Sequence, residues 1–297
     1  MRFVNVRAHG KINLALDVLR KREDGYHEVR MIMQSVGIYD KVEIENLGKS
    51  PTGKCEITIE TNLRYLPNNE NNLAYKAAEI LMTEFNLPYR VHIKIKKMIP
   101  VAAGMAGGSA DCAAVLKGIN KMFDIGLTIE ELKERGVKLG ADIPYCIMGG
   151  TALSEGIGEI LTPLPPMPSC YIVLAKPHAN VSTKFVYTNL KANELEYHPD
   201  IDGMIEAIKN NDVYAMASKM GNVLETVTET EYPVINQIKN EMKSMGALNS
   251  IMSGSGSTVF GIFDDKDKAK KTYEYLKSSE HCRQVYITDG GNGDERY

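Results

Sequence analysis

The stretch from Ile99 to Ala114, IPVAAGMAGGSADCAA, constrains the fold more than any other part of this chain. Just before it, Val91-His92-Ile93-Lys94-Ile95 alternates apolar and polar residues, the period of a half-buried strand. Just after it, Ala113, Ala114, Leu116, Ile119 and Met122 keep helical spacing. Strand, glycine-rich turn and helix form the layout of a backbone phosphate cradle. Glycines let main-chain N–H groups approach an anion, and the helix N-terminus adds about half a positive charge. No lysine precedes Ser109, so the segment is not a Walker loop, and it lacks GxGxxG as well. The same small residues would equally serve close packing of a helix on a sheet. The segment alone does not separate the two uses.

A chain of 297 residues predicts about two domains. The 35 basic and 38 acidic residues leave a formal net charge of −3, without the basic stripe that nucleic-acid binding needs. Lysines gather at 94, 96 and 97, and again at 266, 268, 270 and 271, where Asp264, Asp265 and Asp267 alternate with them as on a solvated helix face. The five cysteines, at 55, 112, 146, 170 and 282, are scattered and form no CxxC. That spacing predicts reduced thiols in a cytoplasmic protein. The histidines form no HExxH, so no protein-held transition metal is expected. No stretch approaches the ~18 apolar residues of a membrane span, and no targeting segment is visible.

The first 60 residues read as β structure: 2–9, 13–19, 32–38, 41–45 and 56–60, with Gly and Asp between them. Helices are predicted over 72–85 and 109–123. Thr128 with Glu131 forms a capping box opening a helix to Leu139, which GlyAlaAspIlePro at 140–144 ends. The proline-rich stretch 162–168 predicts a linker dividing the chain into domains 1–161 and 162–297. Beyond it come a strand at 171–175 and helices at 182–190, 201–210, 212–221 and 234–245. A Gly/Ser loop at 250–256, a strand at 258–263, a helix at 266–276 and a strand at 284–288 follow. The pattern is α+β. The tail from Gly290 is expected to be mobile.

Five short motifs stand in order: Gly10-Lys11-Ile12-Asn13-Leu14, Asp24-Gly25-Tyr26-His27, the loop from Pro100 to Ala110, GADIPYCIMGGTA at 140–152, and Met252 to Ser257. VSTKFVY at 181–187 accompanies them. This set resembles the GHMP kinases over nearly the whole chain. It is closest to the members that act on a cytidine-diphosphate-linked methylerythritol in the non-mevalonate isoprenoid pathway. The resemblance implies a two-domain fold with the active site in the inter-domain cleft. It implies transfer of phosphate from ATP, accompanied by Mg2+, to the C2 hydroxyl of the erythritol moiety. A small-molecule substrate carrying cytidine diphosphate is implied, with no nucleic acid or membrane partner, in a monomer or homodimer.

Residue by residue, the resemblance makes Asp142 the catalytic base and Lys11 its cationic partner. An alcohol nucleophile benefits from a carboxylate in reach of its proton, and a nearby cation stabilises developing charge. It assigns ATP binding to Pro100, Val101, Ala102, Ala103, Gly104, Met105, Ala106, Gly107, Gly108, Ser109 and Ala110. It assigns substrate binding to Asn13, Tyr26, His27 and Tyr187. Each position also has an ordinary structural use. Asp142 would cap a turn before Pro144, Lys11 would be a solvated strand lysine, and Asp-Gly would simply turn the chain. Period two places Lys11 and Asn13 on one strand face, which favours a site. Ser253 to Ser257 is expected against the nucleotide loop, touching phosphate or merely turning.

Two departures from the family stand out. His9-Gly10 replaces Pro-Ala before the lysine, and Ala110 replaces the hydroxyl that usually follows Ser109. A sibling kinase for another small alcohol, or a catalytically silent nucleotide- or sugar-binding sensor, would share the motifs. The cytidine-directed segments weigh against the sibling, and retention of Lys11 with Asp142 weighs against the sensor.

Overall fold

The computed structural model describes residues 1–290. The expectation for the tail, from 291 onward, lies outside them. The chain forms two compact units that interleave along the sequence. The first comprises Met1–Gly10, Ile38–Ile99 and Ala106–Gly149; the second comprises Lys11–Gly37, Pro100–Met105 and Gly150 onward. A single boundary after residue 161, as the prolines suggested, is not how contacts partition the chain.

Strands β1 (Phe3–Lys21) and β2 (His27–Lys49) contribute to both units. In the first unit they join β3 (Glu56–Thr61) and β4 (Tyr89–Lys96) in the order β3-β4-β2-β1, β3 parallel and β2 antiparallel to β4. Helices α1 (Leu73–Glu84) and α2 (Gly107–Met122) pack on each other. Asn72 caps α1 by accepting from the Ala74 N–H. Gly118 of α2 has no room for a Cβ, which would overlap the Ile44 side chain, so this glycine does serve close helix–sheet packing. Helix α3 (Ile129–Gly136) begins at the expected capping box of Thr128 and Glu131. A further short helix, α4 (Ile143–Met148), starts where the sequence reading placed only a helix end, with Pro144 in its first turn where no N–H is needed.

In the second unit, β5 (Thr151–Gly156) pairs antiparallel with β2 and with β6 (Ile160–Pro163). The expected linker therefore starts inside a hairpin: Pro163 pairs with Ala152, and Leu164 and Met167 donate to Thr151. A four-stranded antiparallel sheet follows, ordered β11-β7-β10-β9, from β7 (Cys170–Pro177), β9 (Asn249–Met252), β10 (Val259–Phe263) and β11 (Cys282–Gly290). Its core includes Val173, Leu174, Phe260 and Phe263. β8 (Gly221–Asn222) runs parallel to β1. The helices are α5 (Thr183–Asn189), α6 (Ile201–Lys209), α7 (Val213–Ser218), α8 (Glu225–Glu231), α9 (Val234–Ser244) and α10 (Lys266–Ser278).

Expected as four short strands with breaks at Gly10 and Asp40, β1 and β2 run on through both positions. Gly37, inside β2 as expected, has no room for a Cβ, which would overlap the Thr288 hydroxyl. The helix expected over 212–221 ends at Ser218, and the Gly/Ser loop shrinks to 253–257 because 249–252 form β9.

Candidate active site

Lys11 and Asn13 are both buried, and the Lys11 ammonium donates to Asn13 Oδ1 at 2.7 Å. Asn13 Nδ2 in turn donates to Met31 Sδ at 3.1 Å. Lys11 is therefore not a solvated strand lysine. Its backbone N–H donates to the Met105 carbonyl at 3.1 Å, so the strand that carries the cation also seats the glycine-rich loop.

The loop rests on a second turn of the same unit. Ser253 Oγ donates to the Gly104 carbonyl at 3.0 Å, and the Thr258 N–H donates to the Ala103 carbonyl at 3.3 Å. A Cβ at Gly104 (φ +72) would overlap the Ser253 carbonyl oxygen. A Cβ at Gly254 would stand 3.3 Å from the Lys11 ammonium, which places that backbone beside the cation. Asn222 holds the turn from below, donating to the Met252 and Gly254 carbonyls at 2.8 Å each. The expected packing of 253–257 against the loop is thus present.

Where the loop enters the first unit it becomes α2. Ala106 precedes the helix with left-handed φ 54 and ψ 29, and no side chain caps the helix start. Ala102 is left-handed as well, with φ 51. Alanine in this region costs about 1–2 kcal/mol, and such strain gathers at ligand clamps. The Ala110 N–H is committed to the Ala106 carbonyl and its methyl is buried. Gly107, Gly108 and Ser109 then supply the first-turn N–H groups, which have no intrahelical partner. Gly108 is exposed, and a Cβ there would meet nothing nearer than Leu73 Cδ1 at 3.9 Å. Packing does not require glycine at that position. Pro100, Ala103 and Met105 are buried, Val101 is half-buried and Ala102 is exposed.

Three residues missed by the sequence reading support this helix start. Lys97 is buried between Asp40 and Asp111, its ammonium 2.5 Å from each carboxylate and 3.4 Å from the Gly107 carbonyl. Asp40 also accepts from the Met98 and Ile99 N–H groups at 2.5 and 2.8 Å. Burial pushes the Asp111 carboxyl up to about 8; Lys97 opposes this and Asp40 adds to it. Burial depresses the Lys97 ammonium, but Asp111 and Asp40 outweigh that and hold it above its ordinary value. Two carboxylates sharing one cation cannot both ionise cheaply, and Asp111 is the one that holds a proton at neutral pH. The signal was there: Val91, Ile93, Ile95, Lys97 and Ile99 share one parity, and so do Ile38, Asp40, Val42 and Ile44, which places Lys97 and Asp40 on buried faces.

Asp142 is half-buried at the N-cap of α4, and its side chain makes no capping bond. The turn-capping use is therefore not what it does here.

The three aromatic residues that the resemblance assigns to the substrate fall into two groups. His27 is buried at the start of β2, and its ring lies 5.1 Å from the Tyr187 ring at a 40° tilt. Burial, then Lys21, lowers the His27 imidazole below its ordinary value, so it is neutral at neutral pH. Tyr187 sits on α5, whose start Ser182 caps by accepting from the Phe185 N–H. Tyr26 is 59% exposed at the hairpin tip, which Asp24 shapes by accepting from the Tyr26 N–H at 3.1 Å. His27 and Tyr187, far apart in sequence, form one platform with Tyr26 presented beside it in the chain.

A buried lysine–asparagine pair thus stands on the strand that seats a glycine-rich loop opening a helix, and comparison with known proteins says which class of enzyme carries it: a small-molecule kinase. The models of the GHMP kinases N terminal domain and the GHMP kinases C terminal match residues 72–150 and 204–281. The chain belongs to the GHMP kinase family, whose co-substrate is ATP. It is 51% identical over 288 residues, 97% of each chain, to 4-diphosphocytidyl-2-C-methyl-D-erythritol kinase of Lachnoclostridium phytofermentans. It is 51% identical to the same-named enzyme of Lachnospira eligens, over 97% of this chain and 99% of that one. A crystal structure of 4-(cytidine 5'-diphospho)-2C-methyl-D-erythritol kinase superposes with a TM-score of 0.82 at 28% identity, covering 98% of this chain and all of the other. A homoserine kinase from Cytophaga hutchinsonii, 18% identical with a TM-score of 0.75 and covering 99% and 96% of the two chains, shares the fold.

Among the described residues no helix is long and apolar enough to cross a membrane, and no cluster of His, Cys, Asp and Glu could hold a metal ion. The five cysteines form no disulfide.

Proposed function

We propose that this protein transfers the γ-phosphoryl group of ATP to the C2 hydroxyl of 4-diphosphocytidyl-2-C-methyl-D-erythritol, giving the 2-phosphate and ADP. The observation that carries the substrate reading is the His27–Tyr187 platform. An aromatic ring stacks on a pyrimidine, and a neutral imidazole can both donate to and accept from its polar edge. The relatives that cover nearly the whole chain at about half identity carry the same substrate in their names.

Asp142 takes the proton of the C2 hydroxyl as that oxygen bonds to the γ-phosphorus and the bond to ADP breaks. Lys11 stabilises the charge that develops on the phosphoryl oxygens. Asn13 fixes the Lys11 ammonium. Pro100 to Ala110 bind ATP chiefly through the N–H groups of 107–109. Mg2+ would arrive with ATP and neutralise phosphate charge, and because this ion commonly keeps several waters a loop with Ala110 in place of a hydroxyl would still accommodate it. Tyr26, His27 and Tyr187 bind the cytidine. The reduced thiols fit a cytoplasmic setting.

ADP release in the presence of the cytidyl substrate, mevalonate and homoserine tests the proposal. Turnover confined to the cytidyl substrate is expected. Turnover of another alcohol alone would sink the substrate assignment, and ATP binding without turnover of any would favour a sensor.

A further inference from the structure

Lys176 lies near the end of β7 and is 3% exposed. Its ammonium donates to the Ala179 carbonyl at 2.8 Å, Asn180 Oδ1 at 3.1 Å, the Pro177 carbonyl at 3.3 Å and Ser257 Oγ at 3.4 Å. Ser257 Oγ donates to the same Ala179 carbonyl at 2.6 Å. A little further on, the hydroxyls of Thr183 and Ser255 are 2.8 Å apart. Among the described residues no carboxylate pairs with Lys176. Burial, with Arg283 nearby, lowers its ammonium below the ordinary value.

A buried cation solvated only by neutral acceptors is a costly way to fill space. Methionine would fill much the same volume without that desolvation. What the ammonium supplies is geometry: one atom ties the end of β7, the 177–182 segment leading into α5, and the 253–257 turn. The first of these loops aims Tyr187, and the second seats Gly104 and stands beside Lys11. We propose that Lys176 is a positioning residue that fixes the cytidine platform and the phosphate-loop seat in one arrangement. This rests on the kinase reading of those two elements.

Amide hydrogen exchange on the full chain, with and without Lys176→Met, tests it. The variant should exchange faster in both 178–187 and 253–258, while the β7–β10 core stays at the wild-type rate. Turnover of the cytidyl substrate should fall roughly tenfold or more, and Lys176→Arg, which keeps a charged donor, should restore part of it. Ser257→Ala should loosen the same two segments and add little in the double variant. Uniform acceleration throughout the second unit would make Lys176 merely structural, and a change confined to one segment, or to neither, would also overturn the proposal. If Lys176→Met does not fold, Ser257→Ala and Lys176→Arg decide by the same exchange pattern. A wild type that releases no ADP would remove the kinase reading, yet the exchange result would still decide whether Lys176 couples the two segments.

Discussion

The carbonyl oxygen of Ser253 occupies the space that a side chain on residue 104 would need. Gly104 is also left-handed at φ +72, so alanine there adds backbone strain to a collision with main chain. We expect Gly104→Ala to lift the loop from its seat, lowering stability by about 1–3 kcal/mol and raising KM for ATP. Thermal melts and initial rates at varied ATP check this. Wild-type behaviour in both would mean that the two turns are not mechanically linked.

Gly108 gives the opposite test. A methyl there meets only Leu73, at 3.9 Å, so Gly108→Ala should leave the melting temperature nearly unchanged. If the N–H groups of this turn cradle phosphate, the methyl still obstructs the anion, and KM for ATP should rise severalfold with KM for the cytidyl substrate unaffected. An unaltered KM for ATP would return this glycine to a packing role.

Asp142→Asn removes a charge and keeps a shape, and no capping bond is lost with it. The expected outcome is a collapse of kcat, by ~10²-fold or more, with little change in substrate affinity. Lys11→Met should lower kcat comparably, but at some cost in stability, because it leaves buried Asn13 Oδ1 without its donor. A folded Asp142→Asn enzyme turning over at the wild-type rate would rule out its role as base.

His27 titrates below its ordinary value of 6.5 because burial and Lys21 disfavour its charge. Below pH 6.5 the unfolded chain takes up a proton that the folded chain resists. The contribution of His27 to stability is therefore present above that pH and lost on acidification. KM for the cytidyl substrate should rise over the same range as the imidazole loses its acceptor, while KM for ATP stays level. Tyr187→Ala should raise KM for the cytidyl substrate by the equivalent of about 1–3 kcal/mol, the worth of one stacked base. A parallel rise in KM for ATP would detach the platform from the pyrimidine.

Asp111 behaves in reverse. Its carboxyl is raised from 3.8 to about 8, so the folded chain keeps a proton that the unfolded chain releases. Stability from this group is present below 3.8 and is lost as the pH rises toward 8. Asp111→Asn escapes that loss, so the Tm of the variant relative to wild type should improve from pH 5 to pH 9. A variant that fares worse at alkaline pH would show Asp111 to be an ionised partner of Lys97.

Much of this was legible in the sequence because it was local. The capping box at Thr128, the helix after the glycine loop and the shared face of Lys11 with Asn13 all follow from spacing over a few residues. What was not legible depends on neighbours remote in the chain. Pro163 reads as a linker until Ala152 pairs with it. The left-handed turns at Ala102 and Ala106 have no propensity signature, because alanine adopts them only when contacts such as Thr258 to Ala103 impose them. Lys97 and Asp40 are legible in parity, but nothing local in the sequence tells that the two buried charges meet.

The threading of β1 and β2 through both units bears on how this enzyme can be taken apart. The second unit owns the 11–37 hairpin, and with it Lys11, Asn13, Tyr26 and His27, although most of its mass begins at residue 150. A gene fragment cut at the prolines would therefore encode a C-terminal piece stripped of its own hairpin and of β5, with β8 left without its partner β1. Two such halves expressed together would have to reassemble by strand complementation before either could bind pyrimidine, which makes this scaffold a natural candidate for a split reporter rather than for domain transplantation.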